Sequence, residues 1–283
     1  MIFGKIKRWF EITAAQERPF KFLLSRLLMR SGISRFLKIN RGAFSVYFFP
    51  SALSAQIWLN PAARSDDEEF AASFLKRGET FVDIGANIGL ITLAGAKAAG
   101  AGGRVLSVEP DPDVFSYLRR NVRLNKLANI SLFNCAIGAA PGKLYLKRSN
   151  ADDENAVDFN SGHETEVRTL DEIAGGAGQI ALLKVDVEGF EKYVFEGGKA
   201  VLKRTECVYF EAWEKHYSRY NYSFADIFGL LAGHGFQLLR AGNPAGGFLN
   251  CAYVPARCEN IIAVRSKTIL EKTAVRAHLK SHS

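Results

Sequence analysis

With 283 residues, 48% hydrophobic and 23% charged, the chain is long enough for one large domain or two small ones. Disorder, collagen and coiled coil are excluded as whole-chain answers. The formal charge of +8 is unevenly placed: residues 1–41 hold ten lysines and arginines against two glutamates, and the remaining residues hold 27 of each sign. The basic character therefore belongs to an arm, and a nucleic-acid-binding body is not expected.

The arm contains the first predicted element. Phe20, Leu23, Leu24, Leu27 and Leu28 recur at helical spacing between Lys21, Arg26 and Arg30, which predicts an amphipathic helix from Phe20 to Lys38 that breaks near Gly32. From Phe81 onward, short β-rich runs alternate with helical stretches of about a dozen residues. Strands are expected at Phe81–Gly85, Arg104–Glu109, Ile130–Ala136, Ile180–Asp186 and Cys207–Glu211, with Phe236–Arg240 and Ile261–Arg265 completing the sheet. Helices are expected at Leu90–Ala99, from Pro112 to about Asn125, near Phe190–Glu196, and at about Ser223–His234. This alternation predicts α/β architecture, a doubly wound, mostly parallel sheet with helices on both faces, preceded by the helical arm. The domain reading is an arm over 1–58, a Rossmann-like body over 59–265 and a basic tail over 266–283.

Two stretches interrupt the pattern. Arg148–Glu166 is polar and acidic, and Asn243–Arg257 is a glycine- and proline-containing loop carrying Phe248, Asn250 and Tyr253. Both are candidates for loops that select substrate. The four cysteines form no CxxC pair and read as thiols in a reducing compartment. No run approaches the roughly 20 apolar residues of a membrane span, and no signal-peptide pattern follows Lys5, Lys7 and Arg8. The cytoplasm is the expected location, with membrane association through the arm as a second reading.

The sharpest motif is Val82-Asp83-Ile84-Gly85-Ala86-Asn87-Ile88-Gly89, a strand running into a glycine turn that opens a helix. Backbone N–H groups and a helix N-terminus face whatever binds there. The spacing is not the G-x-G-x-x-G of dinucleotide binders, and Asp83 would repel a pyrophosphate. Glu109, 20 residues beyond Gly89 at the end of the next strand, is placed to accept both ribose hydroxyls of a nucleoside. A nucleoside with a cationic tail fits better than one with phosphates, and S-adenosyl-L-methionine is such a molecule.

Five blocks in order resemble the FkbM family of class I S-adenosylmethionine-dependent methyltransferases over about residues 75–265. They are Phe81-Val-Asp-Ile-Gly-Ala-Asn-Ile-Gly89, Val108-Glu-Pro110, Asn134-Cys-Ala-Ile-Gly138, Thr169-Leu-Asp-Glu172 and Leu183-Lys-Val-Asp-Val-Glu-Gly-Phe-Glu191. The resemblance implies that Asp83, Gly85 and Asn87 contact the methionine end of the cofactor, and Gly89, closing the same motif, is a further cofactor-binding candidate. It implies Glu109 at the ribose, and Cys135 and Ala136 against the adenine. Asn87 stands where many class I enzymes have a second glycine. Nothing in the first 58 residues falls within the resemblance.

Four residues are candidates for catalysis. Asp186 reads as a general base for a substrate hydroxyl or as a group that orients it. Its structural alternative is a cap on the following helix, with Glu188 paired to Lys184 across a shared strand face. Glu211 ends the fifth strand, and His216 follows as a base candidate that also reads as part of a solvated helix face. Trp213, Tyr217, Tyr220 and Tyr222 suit either a stacked sugar or polyketide acceptor or an ordinary core. Oxygen ligands at Asp186, Glu188 and Glu211 suit Mg²⁺, but no ligand spacing demands a metal, and none is expected.

The expected function is O-methylation of a hydroxyl on a small-molecule or glycan acceptor, such as a sugar or secondary metabolite. A nicotinamide-dependent oxidoreductase and an inactive, membrane-recruited binding protein are the alternatives. The arm is expected to pack on the body or on a second subunit in a homodimer, with anionic lipid or a membrane-attached partner next. Nucleic acid is not an expected partner.

Overall fold

A computed structural model describes residues 19–147, 156–158, 162–241 and 247–265. Lys5, Lys7 and Arg8, the acidic centre of the Arg148–Glu166 stretch, residues 243–246 of the second loop, and the 266–283 tail lie outside the described residues.

The arm helix α1 (Pro19–Ser31) stops at Gly32, whose φ of 67° is left-handed, before a single 3₁₀ turn. The hairpin β1 (Lys38–Asn40) and β2 (Ser45–Tyr47) follows, then α2 (Ala52–Leu59) and α3 (Asp66–Phe74). Next come β3 (Thr80–Ile84), α4 (Leu90–Ala99), β4 (Arg104–Val108), α5 (Pro112–Leu124) and β5 (Ile130–Phe133) in strict alternation. The strands β6 (Ala136–Ile137), β7 (Gly142–Lys147), β8 (Ala156–Asp158) and β9 (His163–Arg168) then form a side sheet in the order β6-β9-β7-β8. The chain finishes with α6 (Leu170–Ala174), β10 (Ile180–Val185), α7 (Glu191–Glu196), α8 (Lys199–Lys203), β11 (Thr205–Ala212), α9 (Glu214–Tyr217), α10 (Phe224–Gly233), β12 (Gln237–Arg240) and β13 (Glu259–Val264).

The main sheet has seven strands in the order β12-β13-β11-β10-β3-β4-β5. Pairs from β11 through β5 are parallel, and β13 runs antiparallel to both β11 and β12. The central strands are buried along almost their whole length, as a sheet covered on both faces requires. Alternation splits their side chains between two layers. Val82, Ile84, Leu106 and Val108 join one buried cluster, whereas Phe81 and Val105 join another with Phe70 and Phe74.

After β3 the chain winds outward through β4 and β5, then returns to the other side of β3 for β10 and β11. The order reverses between β3 and β10, and a ligand crevice is expected beyond the carboxyl ends at that point.

Three elements of the arm and its junction depart from the sequence reading. Ile39, Phe44, Val46, Phe48, Leu53 and Ile57 share a third buried cluster with Ile88, Leu93, Val114 and Leu118, so residues 39–57 belong to the packed body. Arg41 is absorbed in the same way: its guanidinium pairs with Glu68 and donates to the carbonyls of Pro61 and Ala63. The apolar stripe of α1 also faces outward at three of its five positions, with Phe20 87%, Leu24 46% and Leu27 64% exposed. The helix instead meets α2 along the side carrying Ser25 and Lys21, whose ammonium donates to the Trp58 carbonyl at 2.5 Å. Among the described residues no helix is long and apolar enough to cross a membrane.

Candidate active site

The turn after β3 is fixed by its neighbours. The N–H groups of Gly85 and Ala86 both donate to the Val108 carbonyl, at 3.0 and 2.9 Å. On the other side, the Asp186 N–H donates to the Ile84 carbonyl at 3.0 Å. The ends of β3 and β10 are therefore pressed together. Gly85 has a φ of 77°, and a Cβ added there would lie 1.8 Å from the Asp186 carbonyl oxygen. Only glycine fits this position.

A cavity of about 450 Å³ opens over this turn, in the size range of small-molecule sites. Nine of the eleven residues singled out from sequence line it: Gly85, Asn87, Glu109, Cys135, Ala136, Asp186, Glu188, Glu211 and His216. Asp83 and Gly89 are not on its wall. Asp83 is fully buried beneath it, where its Oδ2 accepts from the Thr92 hydroxyl at 2.5 Å. Gly89 caps α4 at a φ of 96°, and a side chain there would strike Leu118.

Glu109 is the best-placed group for a nucleoside. Its Oε2 accepts the Asn87 N–H and its Oε1 the Asp111 N–H, both at 2.9 Å, and Asn134 Nδ2 donates to its carbonyl at 2.8 Å. Each carboxylate oxygen keeps a further lone pair for a hydroxyl. Burial pushes the Glu109 carboxyl up to about 7, against the two backbone N–H bonds that favour the anion. Asn87 takes a left-handed φ of 51°, which asparagine tolerates better than most side chains. Cys135 and Ala136 are buried and give the cavity an apolar wall, and burial pushes the Cys135 thiol up to about 11.

Lys184 connects the buried layer to the cavity. Its Nζ lies 3.6 Å from Asp83 Oδ1 and 3.3 Å from Asp186 Oδ2, and donates to the Gly85 carbonyl at 2.8 Å. Burial alone would depress this lysine, but Asp186 and Asp83 outweigh it and hold the ammonium charged. Burial raises Asp83, opposed by Lys184 and the Thr92 hydroxyl.

The shared strand face expected for Lys184, Asp186 and Glu188 ends early. β10 stops at Val185, and Glu188 sits in a turn at a left-handed φ of 54°. Lys184 therefore meets Asp186, while Glu188 turns to His216, with Oε2 3.4 Å from Nδ1. Asp186 does not cap α7. No side chain caps that helix; Glu191, its first residue, instead ties down the preceding turn, its Oε1 accepting the N–H groups of Val187 and Gly189 at 3.1 and 3.3 Å. His216 is 4% exposed, so the solvated-face reading does not hold for it. Its ring lies 4.5 Å from that of Trp213, which lines the cavity, whereas Tyr217, Tyr220 and Tyr222 are buried in the core. Glu211 is pushed up to about 7 by burial and by Asp186, and the Cys258 thiol hydrogen-bonds to it.

Sequence reasoning missed Arg64, Asp67, Glu68 and Cys258, which also line the cavity. Asp67 is held by the Tyr209 hydroxyl and by Asn260 Nδ2, contacts that span 142 and 193 residues. The helix that carries Asp67 and Glu68 did leave a signal: Ser65 followed by four acids in its first turn and then Phe70 and Phe74.

A model of the methyltransferase FkbM domain matches residues 83–238. "Methyltransferase 1" of Beauveria bassiana (strain ARSEF 2860) is 28% identical over 180 residues, covering 54% of this chain and 72% of that protein. Among solved structures, the precorrin-6y C5,15-methyltransferase of Geobacter metallireducens GS-15 aligns with a TM-score of 0.43 at 13% identity, over 71% of this chain and 87% of that one. An S-adenosylmethionine-dependent methyltransferase of Aquifex aeolicus aligns with a TM-score of 0.43 at 14% identity, over 72% and 94%.

Proposed function

The chain belongs to the FkbM methyltransferase family, and from that premise we propose that it methylates a hydroxyl oxygen on a small-molecule or glycan acceptor, with Asp186 taking the proton. The protein is an S-adenosylmethionine-dependent methyltransferase, so hydride transfer from a nicotinamide drops out. The residues on the wall fit an S-adenosyl nucleoside. Gly85 presents bare backbone to the cavity, Glu109 offers spare lone pairs to a diol, and Cys135 with Ala136 gives a flat base an apolar seat. When bound, S-adenosylmethionine supplies a methyl group on a sulfonium centre.

The observation that carries the oxygen-acceptor reading is the contact between the Gly85 turn and Asp186. It sets a carboxylate, 37% exposed and charge-paired with Lys184, beside the turn expected to hold the methionine end. A neutral hydroxyl is a poor nucleophile and gains from a base at that place. The acceptor O–H would give its proton to Asp186 as the O–C bond forms and the C–S bond breaks, releasing neutral S-adenosylhomocysteine. Trp213 gives the acceptor side a ring face. Asp186→Asn should leave S-adenosylhomocysteine affinity unchanged and lower methyl transfer by about 10²–10⁴-fold, measured with labelled cofactor over a panel of sugars and glycans. Turnover equal to the parent protein on an accepted substrate would remove the role given to Asp186.

Glu109 makes cofactor binding pH-dependent. The ionised form accepts both ribose hydroxyls, so affinity should be full above about 7 and fall as the carboxyl takes up a proton below it. Calorimetry should show S-adenosylhomocysteine binding weakening by roughly tenfold from about pH 8 to about pH 6. Glu109→Gln should bind more weakly and flatten this dependence. Parent and Glu109→Gln affinities that are equal at both pH values would place the ribose elsewhere.

A further inference from the structure

We propose that Glu188, Glu211 and His216 form a divalent-cation site on the acceptor side of the cavity, which takes two neighbouring oxygens of the acceptor. The proposal rests on the methyl-transfer reading above and deepens it.

The three side chains come from three elements: the turn after β10, the end of β11, and α9. One ligand atom from each lies within 4.8 Å of the other two. The His216 Nδ1 and Glu188 Oε2 atoms are 3.4 Å apart. Adjacent ligands of a cation bound at about 2.0–2.2 Å stand about 3 Å apart, so a small closure would seat one. No spacing in the chain announces this grouping, because 23 residues separate Glu188 from Glu211 and the turn and strand must fold together first.

The site is built into the core rather than lying on the surface. The side chains of His216 and Glu188 are 5% and 19% exposed. Gly189, at a φ of 99°, brings the turn so close that a Cβ would lie 2.9 Å from the Cβ and carbonyl oxygen of His216. The Tyr222 hydroxyl pins this turn by donating to the Gly189 carbonyl at 2.5 Å, and Tyr217 donates to the Glu211 carbonyl at 3.2 Å. The backbone under all three ligands is thus held before any ion arrives. Charge favours a cation as well: the carboxylates of Asp186, Glu188 and Glu211 share one wall, and the ammonium of Lys184 is already engaged by Asp83, Asp186 and the Gly85 carbonyl.

Two carboxylates and an imidazole suit a cation between hard and borderline, of which Mn²⁺ is the convenient probe. Three protein ligands leave coordination positions open. A hydroxyl with a second oxygen on the neighbouring carbon, as in a sugar diol or a 2-hydroxy acid, would fill two of them. The ion would orient the reacting hydroxyl and lower its pKa, leaving Asp186 to take the proton.

The full chain, stripped with chelator, is titrated with Mn²⁺ by electron paramagnetic resonance and calorimetry, and S-adenosylhomocysteine binding is measured on the same sample. One bound Mn²⁺ per chain is expected, weakened at least about tenfold in Glu211→Gln and in Glu188→Gln. S-adenosylhomocysteine affinity should stay at the parent value in both variants, which shows them folded. A parent that binds S-adenosylhomocysteine but takes up no Mn²⁺ at millimolar concentration would overturn the site and leave methyl transfer standing, with His216 and Glu188 as a simple ion pair. Uptake undiminished in both variants would also overturn it, because the ion would then sit elsewhere. Failure to bind S-adenosylhomocysteine would instead strike the reading beneath.

Discussion

Gly85→Ala should abolish S-adenosylhomocysteine binding and cost several kcal/mol of stability, more than any other single methyl group added to the cofactor turn. Two separate costs combine there. The left-handed φ of 77° costs an L side chain about 1–2 kcal/mol. The added Cβ would also lie 1.8 Å from the Asp186 carbonyl oxygen and 2.9 Å from its carbon, both backbone atoms that a rotamer change cannot move. Relief requires β3 and β10 to part at their carboxyl ends, and overpacking of that kind adds about 1–3 kcal/mol. Parting them also moves Asp186 from the turn, and a displacement near 1 Å is enough to cost about 10²-fold in rate. Gly78→Ala is the matched control. Its φ is 87°, but a Cβ there meets nothing within 4 Å, so only the backbone cost applies and binding should survive. Thermal melts and calorimetry on the two variants decide the matter. If they melt together and both bind S-adenosylhomocysteine, the close approach at Gly85 has no consequence.

That position also shows why one part of the site was legible in the chain and another was not. Gly85 and Glu109 are read from strand–turn–helix patterning, which is local: a buried apolar run, a glycine turn, and an acid ending the next strand; Asn87 follows from the resemblance. Cys135 and Ala136 follow from the resemblance, although β5 ends at Phe133 and Ala136 opens the side sheet instead of closing the third strand. The side sheet itself was missed because His163–Arg168 buries only Thr165 and Val167, a single apolar residue among polar ones, and begins within an acidic stretch. The acceptor side depends on long-range approach. The Glu188–His216 pair requires the β10 turn to fold onto α9, and the burial of His216 contradicts its charged neighbours Glu214 and Lys215. The resemblance implies Asp83 as a ligand contact; in the structure it lies beneath the cavity wall, bonded to Thr92 and covered by Lys184, its register partner on β10, which takes the place on the wall. The arm misled in a similar way, since periodicity identified the apolar stripe of α1 but said nothing about which side meets α2.

The buried position of Asp83 sets the second large effect. Lys184→Met should destabilise the protein by about 3–5 kcal/mol, the range for removing one partner of a buried ion pair. For a chain of this size that is a fall in Tm of roughly 6–20 °C. The cost arises because Asp83, fully buried, loses the only ammonium near it among the described residues and keeps just the Thr92 hydroxyl. Asp186 is affected less, because its side chain is 37% exposed and water can replace the lysine. The Gly85 carbonyl loses a donor at the same time, so cofactor affinity should fall with stability. Asp83→Asn added to Lys184→Met removes the stranded charge, and the double variant should regain about 0.5–3 kcal/mol over Lys184→Met alone, the range for residues in one network. Chemical denaturation of the parent, both single variants and the double variant gives the coupling directly. Additive losses would mean that Asp83 is already protonated when folded and that Lys184 serves Asp186 and the Gly85 turn only. Coupling of the expected sign would make Asp83 the counter-charge that fixes Lys184, and through it the carbonyl of the turn that cradles the cofactor.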